Sequence, residues 1–150
     1  MGIQERMMEK DLEKKVKTLQ LEDKIHFLGR LPFEEMMNKT KTAKLAISID
    51  KATNGNYAIS LPNKIFEYIA CSVPVLVSPL QEIKLIVEKY KTGEFLSSYN
   101  PQELAKQITN LLNDERKLDL IAENCKKAAE ELCWENEEIQ IFKTIKNLEK

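Results

Sequence analysis

The sequence predicts an α/β fold in which helices flank a parallel sheet. Two segments suit strands, because Lys44 to Asp50 alternates large apolar with small side chains and Pro74 to Val77 is continuously apolar. A continuous apolar run is typical of a strand that is buried on both faces of a parallel sheet. After each of these segments, apolar residues recur at the spacing of a helix. Strands that alternate with helices form parallel sheets whose two faces are covered.

Three elements are predicted before the first of these strands. A helix runs from Glu5 to about Gln20, where apolar residues recur at helical spacing. Lys24 to Leu28 is predicted to be a strand that ends at Gly29, and Phe33 to about Thr42 is predicted to be a second helix.

Small side chains mark one face of the strand from Lys44 to Asp50. Ala46 and Ser48 fall on the same side, which indicates that another element packs closely against that face. A polar loop is predicted from Lys51 to Tyr57, where the sequence Asn-Gly-Asn is a turn signal.

Four helices and one strand are predicted after Val77. The helices are Leu80 to about Tyr90, one that begins at Asn100 with Pro101 behind it, Asp114 to Glu131, and Trp134 to Leu148. The strand is Gly93 to Leu96, with Gly93 interpreted as a turn residue at its start. In the last helix Trp134, Phe142, Ile145 and Leu148 are expected to face the core.

Composition excludes several classes of protein. At 150 residues, with 43% hydrophobic and 31% charged side chains, the chain has the size and composition of one globular domain. A net charge of −1 and a pI near 6.0 argue against a nucleic-acid partner, which requires a basic surplus. The sequence has neither a signal-peptide pattern nor an apolar run long enough to cross a bilayer. We therefore expect a cytoplasmic protein, which could lie at the inner face of the membrane.

The cysteines and the single histidine do not form a metal-ligand pattern. Cys71, Cys125 and Cys133 have no paired spacing, and His26 is the only histidine. Cys71 and Cys125 fall on predicted apolar helix faces, so we expect both to be buried, reduced thiols. The sequence predicts neither a metal nor a cofactor.

The stretch from Ser60 to Ser78 carries most of the functional information. It joins a helix start, opened by Pro62, to a short helix, a turn and an apolar strand. Lys64 and Glu67 share one helix face, and the opposite stripe is apolar: Ile65, Phe66, Ile69 and Ala70. Unpaired amides and the helix dipole favour an anion at the helix start, and a carboxylate one turn further in can accept hydrogen bonds from hydroxyls. A ligand that places a phosphate at the amides and a diol at the carboxylate would be a sugar nucleotide.

This stretch closely resembles the donor-binding motif of GT-B glycosyltransferases, specifically of the family 4-like branch. The resemblance extends from about Gly2 to the final helix, and the other segments that carry it are Phe27 to Pro32, Asn100 to Ala105 and Trp134 to Glu137. It implies the carboxyl-terminal, donor-binding half of that fold, which is a Rossmann-like parallel sheet flanked by helices.

The resemblance also implies roles for individual residues. Glu67 would accept hydrogen bonds from the ribose hydroxyls of the donor. The other donor-binding residues implied are Ser60, Leu61, Pro62, Asn63, Lys64, Gly29, Arg30 and Leu31. The first five would place amides and a cation at the diphosphate, and the last three would cradle the base. Structural alternatives remain open, since Lys64 and Glu67 could form only an exposed pair worth about 0.2–0.5 kcal/mol and Gly29 could belong to an ordinary loop.

Two positions depart from the family pattern. Ile59 stands where many members have a second glutamate near the transferred sugar, and Ser72 stands where a glycine usually precedes the Val-Pro pair, which suggests an altered helix end. The chain also begins on a helix where the family has an earlier strand and glycine turn. We therefore expect residues 1–150 to be a single nucleotide-sugar-binding domain that lacks its first strand or strands, a fragment of a two-domain enzyme.

The function implied by the resemblance is retaining, metal-independent hexosyl transfer in polysaccharide biosynthesis. The donor would be a nucleotide sugar such as a UDP-sugar, and a glycan or lipid-linked acceptor would be bound by an absent amino-terminal domain. This piece alone is expected to be inactive. The alternatives are a nucleotide-sugar epimerase of the same fold and a non-catalytic module, either a degenerate donor domain or a receiver-like domain with Asp50 as its phosphoacceptor.

Overall fold

The structure is a computed structural model that describes residues 3–51, 55 and 59–148. The chain divides into two units, Met1–Pro32 and Phe33–Lys150. Helix α1 (Ile3–Thr18) belongs to the first unit. The second unit contains a three-stranded parallel sheet and six helices among its described residues.

In the first unit, the predicted helix is confirmed as α1, whereas the predicted strand from Lys24 to Leu28 is wrong. Gln20 ends the helical turn in a left-handed conformation with φ 53°, and the Leu21 amide donates to the Val16 carbonyl at 3.0 Å. A turn and an extended chain without ladder hydrogen bonds follow. A strand forms only with a paired neighbour, and the described residues of this unit contain no strand that could supply one.

The sheet of the second unit has the order β1-β2-β3 and is parallel throughout, which confirms the predicted fold class. Its strands are β1 (Ala46–Ser48), β2 (Val75–Val77) and β3 (Gly93–Phe95). All three residues of the central strand β2 are buried, as its apolar run predicts. In β1 the small residues Ala46 and Ser48 are buried and Ile47 is 42% exposed, so the small face is the one that packs against the core.

The helices of the second unit alternate with its strands. They are α2 (Phe33–Thr40), α3 (Asn63–Ala70), α4 (Gln81–Tyr90), α5 (Pro101–Asn113), α6 (Glu115–Glu131) and α7 (Trp134–Leu148). The predicted start of α5 is confirmed, because the Asn100 side chain accepts hydrogen bonds from the amides of Gln102 and Glu103. Asp114 caps α6 in the same way through the amide of Lys117.

The core lies where α3, α4 and α6 pack with the sheet. Its fully or almost fully buried side chains include Ile65, Ile69, Val75, Val77, Ile83, Val87, Ile121 and Cys125. The apolar stripe predicted for α3 is therefore confirmed at the two isoleucines, but Ala70 is exposed because it is the last residue of the helix, where the chain turns away.

The thiols expected to be buried are buried. Cys71 and Cys125 are both unpaired, and Cys125 has no exposed surface. Burial raises the pKa of the Cys125 thiol to about 12, so this side chain stays protonated at neutral pH.

Helix α7 forms where the sequence predicts it, but its apolar side chains do not enter the core. Trp134, Phe142 and Ile145 were expected to face inward and are 68%, 56% and 48% exposed. Helical spacing shows which residues share a face, but not whether another element covers that face. In the described part of the chain, no element covers this one.

Ser72 closes the end of α3 in a conformation that normally favours glycine. Its φ is 58°, and its amide donates to the Ile69 carbonyl at 2.9 Å while the Val73 amide donates to the Tyr68 carbonyl at 3.0 Å. These two bonds form a Schellman motif, in which the left-handed residue is usually glycine. A side chain in the left-handed region costs roughly 1–2 kcal/mol. The serine therefore makes the turn that glycine would make, but with strain.

We expect Ser72→Gly to raise the free energy of unfolding by about 0.5–1 kcal/mol, because the relief of strain exceeds the greater chain entropy of glycine in the unfolded state. Urea denaturation of the variant and the wild-type chain measures the difference. Ser72→Ala is the matched control, because it keeps a Cβ atom and so should bring no such gain. A less stable Ser72→Gly variant would contradict the assignment of strain.

Candidate functional site

The carboxyl ends of β1 and β2 lie side by side and bring two polar residues together. The Asp50 amide donates to Ser78 Oγ at 2.9 Å, and the Ser78 amide donates to the Ser48 carbonyl at 3.1 Å. The loops that follow Asp50 and Ser78 therefore share one rim of the sheet. Parallel sheets of this kind bind ligands at this rim.

The carboxylate of Asp50 connects this rim to the start of α3. Its Oδ2 atom accepts a hydrogen bond from Ser48 Oγ at 3.1 Å and lies 3.3 Å from Lys64 Nζ. Lys64 is in the first turn of α3, so the ion pair places that turn at the carboxyl end of β1. The sequence suggested Glu67 as the alternative partner of Lys64, but no ion pair joins these two side chains within the described residues.

Tyr99 completes the group of side chains at the rim. Its hydroxyl donates to the Asp50 carbonyl at 2.8 Å and lies 3.1 Å from Ser78 Oγ, while Lys51 Nζ lies 5.3 Å from the centre of its ring. We call Ser48, Asp50, Lys64, Ser78 and Tyr99 the rim cluster. Tyr99 was not among the predicted site residues, although its position shortly after the end of β3 indicates the same rim.

The start of α3 has the conformation that an anion site requires. Pro62 is the N-cap residue, with φ −68° and ψ 137°, and no side chain of the described residues caps the helix. The Ile65 amide turns back to the Pro62 carbonyl at 3.1 Å, which leaves the amides of Asn63 and Lys64 at the open end of the helix. Together with the helix dipole, this geometry suits a phosphate.

The other residues expected at this start are also brought together. Ser60 and Leu61 are half-buried and Asn63 is exposed. Leu61 packs against the core, so it anchors the segment that leads into α3. Its side chain therefore acts through packing, which agrees with a role through backbone position.

Glu67 lies one turn into α3 and is half-buried. Its carboxylate has no hydrogen-bond or ion-pair partner within the part of the chain that the structure describes. Burial raises the pKa of the neighbouring Tyr68 hydroxyl, and the nearby carboxylates of Glu67 and Asp50 raise it further. Tyr68 packs against the core, as expected, and stays neutral at physiological pH.

Three of the predicted site residues do not belong to the unit that contains the rim cluster. Gly29, Arg30 and Leu31 belong to the first unit, so their contact with the base stays a prediction. Of the predicted polar loop from Lys51 to Tyr57, only Lys51 and Gly55 are described. The predicted turn at residues 54–56 therefore lies outside the described residues apart from Gly55. Ile59, at the position of the second family glutamate, is 58% exposed.

The described ranges contain neither a metal-binding group nor a membrane-spanning helix. These ranges contain no group of three or more histidine, cysteine, aspartate and glutamate side chains that could hold a metal ion. None of the helices in residues 3–51, 55 and 59–148 is both long and apolar enough to span a bilayer.

Cavities lie elsewhere in the second unit. One of about 510 Å³ lies beside the carboxyl end of β3 and is lined by side chains that include Glu94, Ser97, Gln107, Asn110 and Lys117. Another, of about 380 Å³, lies at the amino ends of β1 and β2. Neither is lined by Lys64 or Glu67.

Comparisons of the sequence with known proteins identify a family and a relative. The family model for glycosyl transferases group 1 matches residues 2–131, a range that contains the whole rim cluster and α3. The chain is also 27% identical over 140 residues to the chitobiosyldiphosphodolichol beta-mannosyltransferase of Candida albicans. That match covers 87% of this chain but 30% of the relative, so the chain spans less than a third of the relative's length.

Proposed function

The chain belongs to the group 1 glycosyltransferases and has the α/β architecture of their GT-B carboxyl-terminal domains, and we propose from this premise that it is a donor-binding domain. The enzyme would transfer a hexosyl group from a nucleoside diphosphate sugar to an acceptor. The observation that carries the proposal is the uncapped start of α3 at the carboxyl end of the sheet, with Glu67 one turn behind it.

The two parts of this site would serve different parts of the donor. The amides at the start of α3 and the helix dipole would hold the diphosphate and stabilise the charge that develops on it as the sugar leaves. Glu67 would accept hydrogen bonds from the ribose hydroxyls, which a half-buried carboxylate with no partner among the described residues can do at little cost. Gly29, Arg30 and Leu31 would contact the base.

The acceptor part of the proposal is supported by the relative. Its name describes mannosyl transfer to chitobiosyldiphosphodolichol, a lipid-linked sugar, and we propose a glycan or lipid-linked acceptor for this enzyme too. Residues beyond these 150 would bind that acceptor, so the present chain should bind the donor without transferring the sugar. Retention at the anomeric carbon without a metal, which the resemblance implies, is tested by the anomer that a whole enzyme forms in the presence of a chelator.

Nucleotide titration tests the donor site directly. We expect UDP, GDP or ADP to shift the backbone amide resonances of residues 60–68 in the ¹⁵N-labelled chain at millimolar concentration. The capped starts of α5 and α6 are internal controls, because Asn100 and Asp114 already occupy their amides. If none of the three nucleotides moves the resonances at the start of α3, or if the capped starts move equally, the proposed site is wrong.

A further inference from the structure

The proposed diphosphate site contains a carboxylate of the protein itself. Asp50 forms an ion pair with Lys64, so the charge of the one lysine in the rim cluster is already compensated. The side chains of Asp50 and Lys64 are 30% and 38% exposed, and the pair therefore borders the space in front of α3 instead of lying in the core. An aspartate is an unexpected neighbour for a phosphate-binding helix start.

Asp50 is held firmly in this position. Its amide and carbonyl are bonded to Ser78 Oγ and the Tyr99 hydroxyl, and its carboxylate is bonded to Ser48 Oγ. Ser48 and Ser78 have no exposed surface, so these bonds are made from rigid ends of the central sheet. The carboxylate therefore cannot move far when an anion approaches.

We propose that Asp50 is a specificity-determining residue that makes this site favour the nucleotide sugar over the free nucleoside diphosphate. The inference rests on the proposed function, because it assumes that a diphosphate binds at the start of α3. A second consequence of Asp50 would be faster release of the nucleotide product after transfer.

The reason is the difference in charge between the two ligands. The terminal phosphate of a free nucleoside diphosphate has a second ionisation near pH 6 and so carries about one more negative charge at neutral pH. In the nucleotide sugar, the sugar is esterified to that oxygen and the extra charge is absent. The amides of α3 attract both ligands, and the compensated Lys64 adds little net charge. Because Asp50 compensates Lys64, the site lacks the net positive charge that would favour the more negative free diphosphate.

Calorimetric titration of the whole chain with two ligand pairs tests this inference. UDP is compared with UDP-glucose, and GDP with GDP-mannose, on the wild-type chain and on Asp50→Asn. We expect the ratio of the Kd of the free diphosphate to that of the nucleotide sugar to fall by about threefold to tenfold in the variant. Glu94→Gln is the matched control, because it removes a carboxylate from the 2.7 Å ion pair with Lys117 at the neighbouring strand, and it should leave the ratio unchanged.

The outcomes separate this inference from the proposed function. If the wild-type chain binds neither these four ligands nor ADP, the proposed function fails and this inference fails with it. If the wild-type chain binds and the ratio in Asp50→Asn is unchanged, only the role of Asp50 is overturned. If the Asp50→Asn variant does not fold, Tyr99→Phe is used in its place. It removes the hydroxyl that holds the Asp50 carbonyl, so its ratio should fall by a smaller amount, and an unchanged ratio would also overturn the inference.

Discussion

Replacing Gly93 by alanine should lower the free energy of unfolding by about 3 kcal/mol or more, at the upper end of what overpacking costs. A Cβ atom at this position would lie 2.0 Å from the Val75 carbonyl oxygen and 2.5 Å from Val75 Cγ2. Val75 is the buried register partner of Gly93 in the central strand, so neither its backbone nor its side chain can move aside. Strand β3 would have to separate from β2. Gly93 is therefore needed within the sheet, and its interpretation as a turn residue is wrong.

Thermal unfolding checks this expectation, and the melting temperature should fall by roughly 10 °C. Gly55→Ala is the matched control, since an added Cβ atom there meets no described atom within 4 Å. We expect that variant to melt within a few degrees of the wild-type chain. Equal melting temperatures for the two variants would show that β2 and β3 do not approach each other this closely.

Replacing Glu67 by alanine should weaken nucleotide binding by about tenfold or more. The proposed bonds from the ribose hydroxyls to a carboxylate are hydrogen bonds to a charged group, each worth about 1.5–3 kcal/mol. Stability should hardly change, because the carboxylate has no partner in the described residues that its loss would leave unpaired. Calorimetric titration with the nucleotide that binds the wild-type chain best measures the loss.

A remote acidic residue provides the control for this experiment. Glu123→Ala removes an exposed carboxylate from the middle of α6, far along the chain from α3, and should not alter the Kd. A Glu67→Ala variant that binds normally but melts early would indicate a role in stability. The ribose contact would then have to be abandoned.

The order and type of the elements could be predicted wherever local pattern and neighbours agree. The apolar run of β2, the small face of β1 and the capped start of α5 are all local signals, and each is confirmed. Lys24 to Leu28 has the composition of a strand, but composition does not provide the neighbour with which a strand pairs. Helix α7 shows the same limit. Its apolar face could be predicted from the spacing of its residues, but the spacing does not show that this face is exposed.

The site could be predicted only in part for a similar reason. The start of α3 and the position of Glu67 follow from adjacent residues, so the motif contains them. The pairing of Asp50 with Lys64 joins two elements across a loop, and nothing in the spacing of the motif indicates it. Tyr99 reaches Asp50 from beyond the third strand, and only the closed sheet brings the two together.

The parallel sheet also determines how this chain can fold. Each strand has three residues, and its pairing partners, such as Ala46 with Val75 and Val75 with Gly93, are separated in sequence by a helix. Neither of these two pairs is a hairpin that could act as a local nucleus, so each gains its hydrogen bonds only after a long loop has closed. We therefore expect each pair of strands to form together with the helix that connects it, α3 between β1 and β2 and α4 between β2 and β3. Because Asp50, Ser78 and Tyr99 follow three different strands, the rim cluster can form only when all three strands are in place.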